Sequence, residues 1–487
     1  MTTMAADSGR LVLAIDQGTH ASRALVLDAR GQILASAEQG IGLARPQADW
    51  AEQDADEVVA SVFAAVDAAT RALGARRADL AAAGLACQRA SAVCWNRRDG
   101  TPLSPIFSWQ DRRAHAWIDQ LAPHGEDVHR RTGLFLSPHY GASKLRWALD
   151  HLPAVRAARD AGTLAWGPMA SFVAFRLLKE RPLYADPQCA ARTQLWNVHT
   201  RDWDPELLAL FGLPGGFLPA SFPTCGAWGT LQAGGASVPL TAVNGDQSAA
   251  MFAFGWPEGD SAYINIGTSA FVQRALERYP QGVTRQLTGI ILQDGDTMLY
   301  MVEGNVNGAG TALEWFANQF PVEGDLVAQL SHWLERPAAG VPLFLNGIAG
   351  LGGPFWQAEF ASRFVDDGGE SETWQKAVAL VESMAFLLQA NIDYMAGHVP
   401  APRRIRVSGG LSRFDGLCAR LASLSGLPAH RRDDPEASAR GIAYLAAGRP
   451  AGWNSGAREE IFPPRPDAGL RQRYRRWRAL MAEATGI

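Results

Sequence analysis

Cysteine is scarce in this chain, with five among 487 residues: Cys87, Cys94, Cys189, Cys225 and Cys418. The number is odd and no two form a Cys-x-x-Cys pair, which argues against a disulfide framework or a zinc site and makes a reducing cytoplasm the expected setting. Charge of one sign is lacking as well. Lys plus Arg is 45 and Asp plus Glu is 49, a formal net charge of −4. A dedicated nucleic-acid binder carries a basic excess, so no nucleic-acid partner is expected. Every apolar run falls well short of the about 20 residues that span a bilayer, so no membrane partner is expected either. The opening MTTMAADSGR shows no basic segment followed by an apolar stretch, the mark of a secretory signal. Absent motifs exclude further classes. There is no GxxxxGK[ST] of a P-loop enzyme, no GxGxxG of a dinucleotide fold, and no GxSxG or HExxH.

Apolar residues are plentiful. At 47% hydrophobic and 19% charged, the chain can bury more than one core, and its length predicts two or three domains. Leu11–Asp16, LVLAID, reads as a buried strand entering a turn at Gly18. RALVLDARGQILAS continues it as an antiparallel meander turning at Ala29-Arg30-Gly31. Asp54 caps a helix with apolar positions Val58, Val59, Val62, Phe63, Val66, Ala69 and Leu73. Ala82–Gln88 is the next strand. The opening pattern returns in Ser261–Ala270, SAYINIGTSA, again a strand, a Gly-Thr turn and a strand. Gln375–Met395 reads as a long apolar helix, Arg404–Gly410 as a strand ending in Gly-Gly, and Leu417–Leu424 as a helix. The repeat predicts two related α/β domains facing each other across a central cleft, with a boundary near residue 255. In the tail, Tyr474, Trp477 and Met481 lie at helical spacing among five arginines, which predicts a solvated amphipathic helix.

Several residues carry candidate chemistry, each with an ordinary structural alternative. Asp16, at a strand end, suits a hydrated Mg²⁺, which takes few carboxylates and several waters. Gly18 lets backbone approach a phosphate, Thr19 adds a hydroxyl and an N–H, and Arg23 could reach the same phosphates. The alternative is a plain hairpin turn. Gly267-Thr268 repeats the device. Gly409-Gly410 would let backbone lie against an adenine ring, or would simply turn strand into helix. Gly304, Gly308 and Gly310 precede a helix start that suits an anion. Asp246, in Asn244-Gly245-Asp246-Gln247, falls at a first helical turn, where it could take a hydroxyl proton or serve as the N-cap. Arg89 and Trp109 suit a polyhydroxy ligand, the guanidinium bonding hydroxyls and the indole covering C–H faces; otherwise they are a surface ion pair and a core tryptophan.

The order of these segments resembles the FGGY family of carbohydrate kinases, most closely its glycerol kinase branch. The matching stretches are LAIDQGTHASRALVLD, GLACQRASAVCWN, FSWQDRRA, YGASKLRWALDH, NGDQSAAMFAFG, INIGTSAF, EGNVNGAGTALEWF, GLGGPFW, VSGGLSRFDGL and PEASARGIAYLAAG, from residue 11 to about 448. The resemblance implies an α/β actin-like ATPase (ribonuclease H-like) fold with two related domains around a central cleft. It implies an N-terminal domain over 1–255 holding the acceptor and the catalytic base, a nucleotide-binding domain over 256–450, and a helical tail over 451–487. It further implies ATP and Mg²⁺, with Asp246 as base and Asp16 near the metal. Gly18, Thr19, Arg23, Gly267, Thr268, Gly310, Gly409, Gly410 and Phe414 fall at nucleotide positions. Arg89, Trp109, His139, Asp246, Gln247 and Phe271 fall around the acceptor. The chain departs from the glycerol kinase pattern in three places. An Arg-Glu pair becomes Arg89-Ala90, a tyrosine becomes His139, and an adenosine-holding asparagine becomes Phe414, whose ring would stack on adenine instead. The expected function is an ATP-dependent kinase for a small sugar or polyol, such as the ketopentose xylulose. Glycerol kinase is the alternative, and a catalytically impaired sugar sensor or actin-like nucleotide switch is the rival of another class. A homodimer is compatible with the chain.

Overall fold

The computed structural model describes residues 10–322, 324–336, 340–365, 371–432, 436–453 and 458–487. Residues 1–9 of the first expected domain and Pro435 of the PEASARGIAYLAAG stretch lie outside them. The described residues form two compact units. The first holds 10–257, 289–300 and 436–453, the second 258–288, 301–432 and 458–487.

The first unit is built on a mixed six-stranded sheet in the order Cys225–Ala233, Ala236–Gly245, Leu80–Cys87, Leu11–Gln17, Ala21–Leu27, Ile33–Gly40. Leu11–Gln17 pairs antiparallel with Ala21–Leu27 and parallel with Leu80–Cys87, and the latter pairs parallel with Ala236–Gly245. The run LVLAID lies within the buried strand expected of it. Asp28 sets the next turn by accepting bonds from the N–H groups of Arg30 and Gln32, each 2.9 Å, with Gly31 left-handed at φ 78°. Helix Ala55–Ala72 starts where Asp54 accepts from Asp56 N and Glu57 N, satisfying two donors with no partner inside the helix. Val58, Val59, Val62, Val66 and Ala69 are buried, whereas Phe63 faces solvent at 37% exposure.

The second unit repeats the plan. Ser261–Ile266 pairs antiparallel with Ala270–Leu276 and parallel with Arg404–Ser408, inside a seven-stranded sheet. Helix Thr373–Ala396 is the apolar helix read from the sequence. Its start is closed by Glu372 N donating to Gln375 Oε1 at 2.8 Å, and its mostly apolar middle is buried almost all round.

Two structural findings differ from the expected ranges. Residues 436–453 do not stay with the second half of the chain. Helix Ala437–Ala446 packs on the first unit's sheet, where a Cβ at Gly84 would stand 2.8 Å from Ile442 and one at Gly441 would collide with Ala249 O. Glycine at both contacts is what lets these backbones meet. The tail is also not a solvated appendage. Helix Ala468–Thr485 buries Leu470, Trp477 and Met481 in the second unit's core. Trp477 Nε1 donates to Phe344 O at 3.1 Å, and Arg473 makes two bonds, 2.9 and 2.7 Å, to Glu382, a carboxylate 1% exposed. The five cysteines are free thiols. Among the described residues no helix is long and apolar enough to cross a membrane.

Candidate active site

In the first unit the strand Leu11–Gln17 delivers Asp16 at its end, partly buried and directly across from Arg23. The turn closes through Gly18 N donating to Ala21 O at 3.0 Å. Burial pushes the Asp16 carboxyl up to about 7, with Asp246 and Glu436 adding to the rise and Arg23 opposing it. Arg23 bonds Glu38 on the neighbouring strand. Thr19 is clasped twice: its hydroxyl accepts from Trp109 Nε1 at 3.0 Å, and its carbonyl accepts from Gln53 Nε2 at 2.8 Å.

Asp246 opens the short helix Asp246–Ala250, but Gly245, not Asp246, stands at the cap position. Asp246 Oδ1 accepts from Gln247 N at 2.7 Å. Position 245 has no room for a side chain: a Cβ there would collide with Gln188 Oε1 and stand 2.7 Å from Arg89 Cγ. The glycine of the Asn-Gly-Asp sequence therefore lets the Arg89 stem lie against the backbone that carries Asp246. Gln247 Oε1 is buried and has no hydrogen-bond partner. Trp109 and His139 meet edge to face at 5.8 Å. Burial holds the His139 imidazole well below its usual value, and Lys144, Arg112, Arg192 and Arg89 push the same way, so the ring is neutral. Ala90, next to Arg89, is 6% exposed and sits in the left-handed region at φ 63°.

Sequence reasoning missed the polar scaffold beneath these groups. Gln88 Nε2 donates to Gln17 Oε1, Gly18 O and Gln53 Oε1 at 3.1, 3.2 and 3.0 Å. Ser91 Oγ donates to Gln88 Oε1 at 2.9 Å and accepts from Trp109 N at 3.0 Å. Buried amides need such partners, and the network ties the first hairpin to the segments carrying Arg89 and Trp109. Lys144, 1% exposed, bonds three backbone carbonyls in the same region. Gln88 and Lys144 both fall inside the recognisable stretches GLACQRASAVCWN and YGASKLRWALDH, but amide-to-amide pairing leaves no spacing signature.

In the second unit the turn at Gly267-Thr268 closes through Gly267 N donating to Ser269 O at 2.9 Å. Helix Gly310–Gln319 docks on it: Gly310 N donates to Gly267 O at 3.0 Å and Thr311 N to Thr268 O at 3.1 Å. A Cβ at Gly310 would stand 2.8 Å from Gly267 O. Gly409, at φ 90°, lies against Ile266, where a Cβ would come within 2.6 Å of its carbonyl oxygen, while Gly410 has open space. Phe271 lies on strand Ala270–Leu276, partly buried and opposite Asn265. Phe414 corrects an expectation. It is 1% exposed and packed in the core, because an apolar ring before helix Asp415–Ser425 gains more by burial than by exposure, so it presents no face to an adenine.

Comparison with known proteins places the chain in a family. Residues 11–253 match the N-terminal domain of the FGGY family of carbohydrate kinases, and residues 262–448 match its C-terminal domain. A glycerol kinase of Alkalilimnicola ehrlichii is 35% identical over 490 residues, covering 98% of each chain. The structure of Plasmodium falciparum glycerol kinase with ADP superposes with a TM-score of 0.89 at 21% identity over 98% of each chain. Xylulose kinase from Rhodospirillum rubrum gives 0.86 at 22% identity, over 97% of this chain and 99% of that one. The fold is thus the two-domain α/β actin-like one. Matching over nearly the whole length, and using ATP to phosphorylate a hydroxyl of a small molecule, the chain belongs to the FGGY family of carbohydrate kinases.

Proposed function

We propose that the acceptor is a polyol or ketose longer than glycerol, with a ketopentose such as xylulose the first candidate. The observation that carries this is Ala90. Between Arg89 and Ser91 it offers a methyl where the glycerol kinase pattern has glutamate. A missing hydroxyl partner costs glycerol binding about 1–3 kcal/mol, and the shorter side chain leaves room for a longer chain. The second reading is glycerol itself, favoured by the names of relatives 31–35% identical over most of the chain.

In either case the acceptor hydroxyl lies with Asp246, Arg89 and Gln247. Asp246 takes the hydroxyl proton as the oxygen bonds to the γ-phosphorus, and the bond to the β-γ bridging oxygen breaks to release ADP. The Trp109 ring covers C–H faces of the carbon chain. Neutral His139 exchanges hydrogen bonds with hydroxyls without adding charge. Within the second unit Gly267, Thr268, Gly310, Gly409 and Gly410 serve the nucleotide with glycine and backbone N–H groups; within the first, Gly18, Thr19 and Arg23 are the nucleotide positions. The chemistry at Asp16 fits Mg²⁺: burial first, with Asp246 and Glu436 adding to it, brings its carboxyl up to about 7, so a cation beside it would restore the charged form. No cluster of three metal ligands exists among the described residues, and Mg²⁺ needs none, since it binds through one or two carboxylates, waters and phosphates. When bound, Mg²⁺ neutralises charge on the phosphate oxygens.

The test is a coupled ADP-release assay with Mg-ATP over glycerol, erythritol, pentitols, D- and L-xylulose, D- and L-ribulose and common hexoses. Turnover best on a ketopentose or longer polyol is the expected result. Best turnover on glycerol would establish the second reading, and silence across the panel with ATP still bound would favour a sugar sensor or nucleotide switch.

A further inference from the structure

The chain contains 42 arginines and only three lysines, Lys144, Lys179 and Lys376. Lys179 is exposed and Lys376 half-buried, but Lys144 is 1% exposed on helix Gly141–His151. Its Nζ donates to three backbone carbonyls: Ala90 O at 3.0 Å, Ser108 O at 2.8 Å and His139 O at 2.7 Å. These three residues come from separate stretches of chain. Each is, or immediately adjoins, one of Arg89, Trp109 and His139.

The chemistry of the contact explains why a chain so rich in arginine keeps lysine here. Three carbonyls converge on one atom; burial brings the Lys144 amine down to about 7, and its ammonium form offers three donors radiating from a single nitrogen. A guanidinium presents a flat fork of five donors spread over three nitrogens, which suits planar carboxylates and not a converging tripod. The surroundings hold the rest of the charge elsewhere. Asp111 is engaged by Arg113, with Nη2 to Oδ2 at 2.7 Å, and by Ala51 N at 2.8 Å.

We propose that Lys144 is the positioning residue of the acceptor site, one ammonium fixing the three backbone segments that present Arg89, Trp109 and His139. Its own side chain touches no reacting atom. The proposal rests on the acceptor assignment above and adds what holds that constellation in register. A displacement of about 1 Å among positioning groups costs on the order of 100-fold in rate, so such a clamp governs acceptor use while leaving the nucleotide alone.

The experiment uses the full chain and the best acceptor of the panel, with Lys144→Arg and Lys144→Met. Wild-type turnover judges the acceptor reading by itself. Given turnover, variants that still melt cooperatively are expected to raise the acceptor KM about tenfold or more, with the ATP KM changed less than about twofold. Equal rises in both constants, or an acceptor KM within about twofold of wild type, would overturn the proposal. A second arm needs no variant to fold. In wild-type protein labelled with ¹⁵N-lysine, the Nζ signal protected from exchange is expected to shift on saturation with the acceptor, and to stay in place with ADP alone. A signal unmoved by the acceptor would overturn the proposal as well.

Discussion

The two Gly-Thr hairpins share one scaffold and differ in what surrounds the turn. In each, an antiparallel hairpin is followed in the sheet by a strand parallel to its first strand. Around Gly18-Thr19 the contacts are side-chain chemistry: a carboxylate at Asp16, an indole on the Thr19 hydroxyl, and a set of buried amides. Around Gly267-Thr268 they are backbone to backbone, with helix Gly310–Gln319 and Gly409 packed where no Cβ fits. The same hairpin geometry thus carries acids and hydrogen-bonding side chains in one unit and close-packed glycine in the other. Side chains can move protons and read hydroxyls; bare backbone can approach a nucleotide closely whatever its base.

The sharpest way to break this contrast is to remove the acid from the first unit. Asp246→Asn should lower kcat by about 10²–10⁴-fold, the usual worth of a general base, with ATP affinity by calorimetry unchanged. A variant that keeps wild-type turnover would take the base away from Asp246. Next in size, Gly310→Ala forces a methyl to within 2.8 Å of the Gly267 carbonyl. About 1–3 kcal/mol of overpacking should appear as a raised ATP KM, with the acceptor KM held; a rise confined to the acceptor would take the nucleotide role away from the second hairpin. Trp109→Phe keeps a ring and deletes the bond to Thr19. The loss of about 0.5–1.5 kcal/mol predicts a twofold to tenfold fall in kcat/KM for the acceptor.

The smallest effect lies away from both hairpins and serves as the control. Asp204 caps helix Pro205–Leu210 through bonds from Glu206 N at 2.8 Å and Leu207 N at 3.2 Å, and also accepts from Asn197 and Arg131. Burial alone would raise its carboxyl, but these donors outweigh it and leave the group below the usual carboxylate range. The stabilisation is therefore present above that range and is lost as pH falls through the depressed folded value. Asp204→Ala should cost about 1–2 kcal/mol at pH 7, read as a lower Tm. The deficit should shrink in acid, and neither KM should move.

The repeated hairpins were legible because the strand, Gly-Thr, strand pattern is local, and the helix cap at Asp54 because capping is a rule of nearest neighbours. The two-unit division was visible in outline, since the repeat marks where a second sheet begins. The return of helix Ala437–Ala446 to the first unit was not, because its docking pairs Gly84 with Ile442 and Gly441 with Ala249, residues far apart in the chain. Phe414 misled for a related reason: an aromatic beside a glycine turn looks available until the core that swallows it is known. Lys144 and the glutamine network stayed hidden because their partners are mostly backbone carbonyls and amides from distant segments, which no motif records.

Transfer of a phosphoryl group to a hydroxyl can be followed by ³¹P NMR of wild-type protein with Mg-ATP and the acceptor panel. ADP is expected together with a new phosphate monoester in stoichiometric amounts for at least one polyol or ketose, with no matching release of inorganic phosphate. Inorganic phosphate as the sole product, formed at the same rate with and without acceptors, would contradict it.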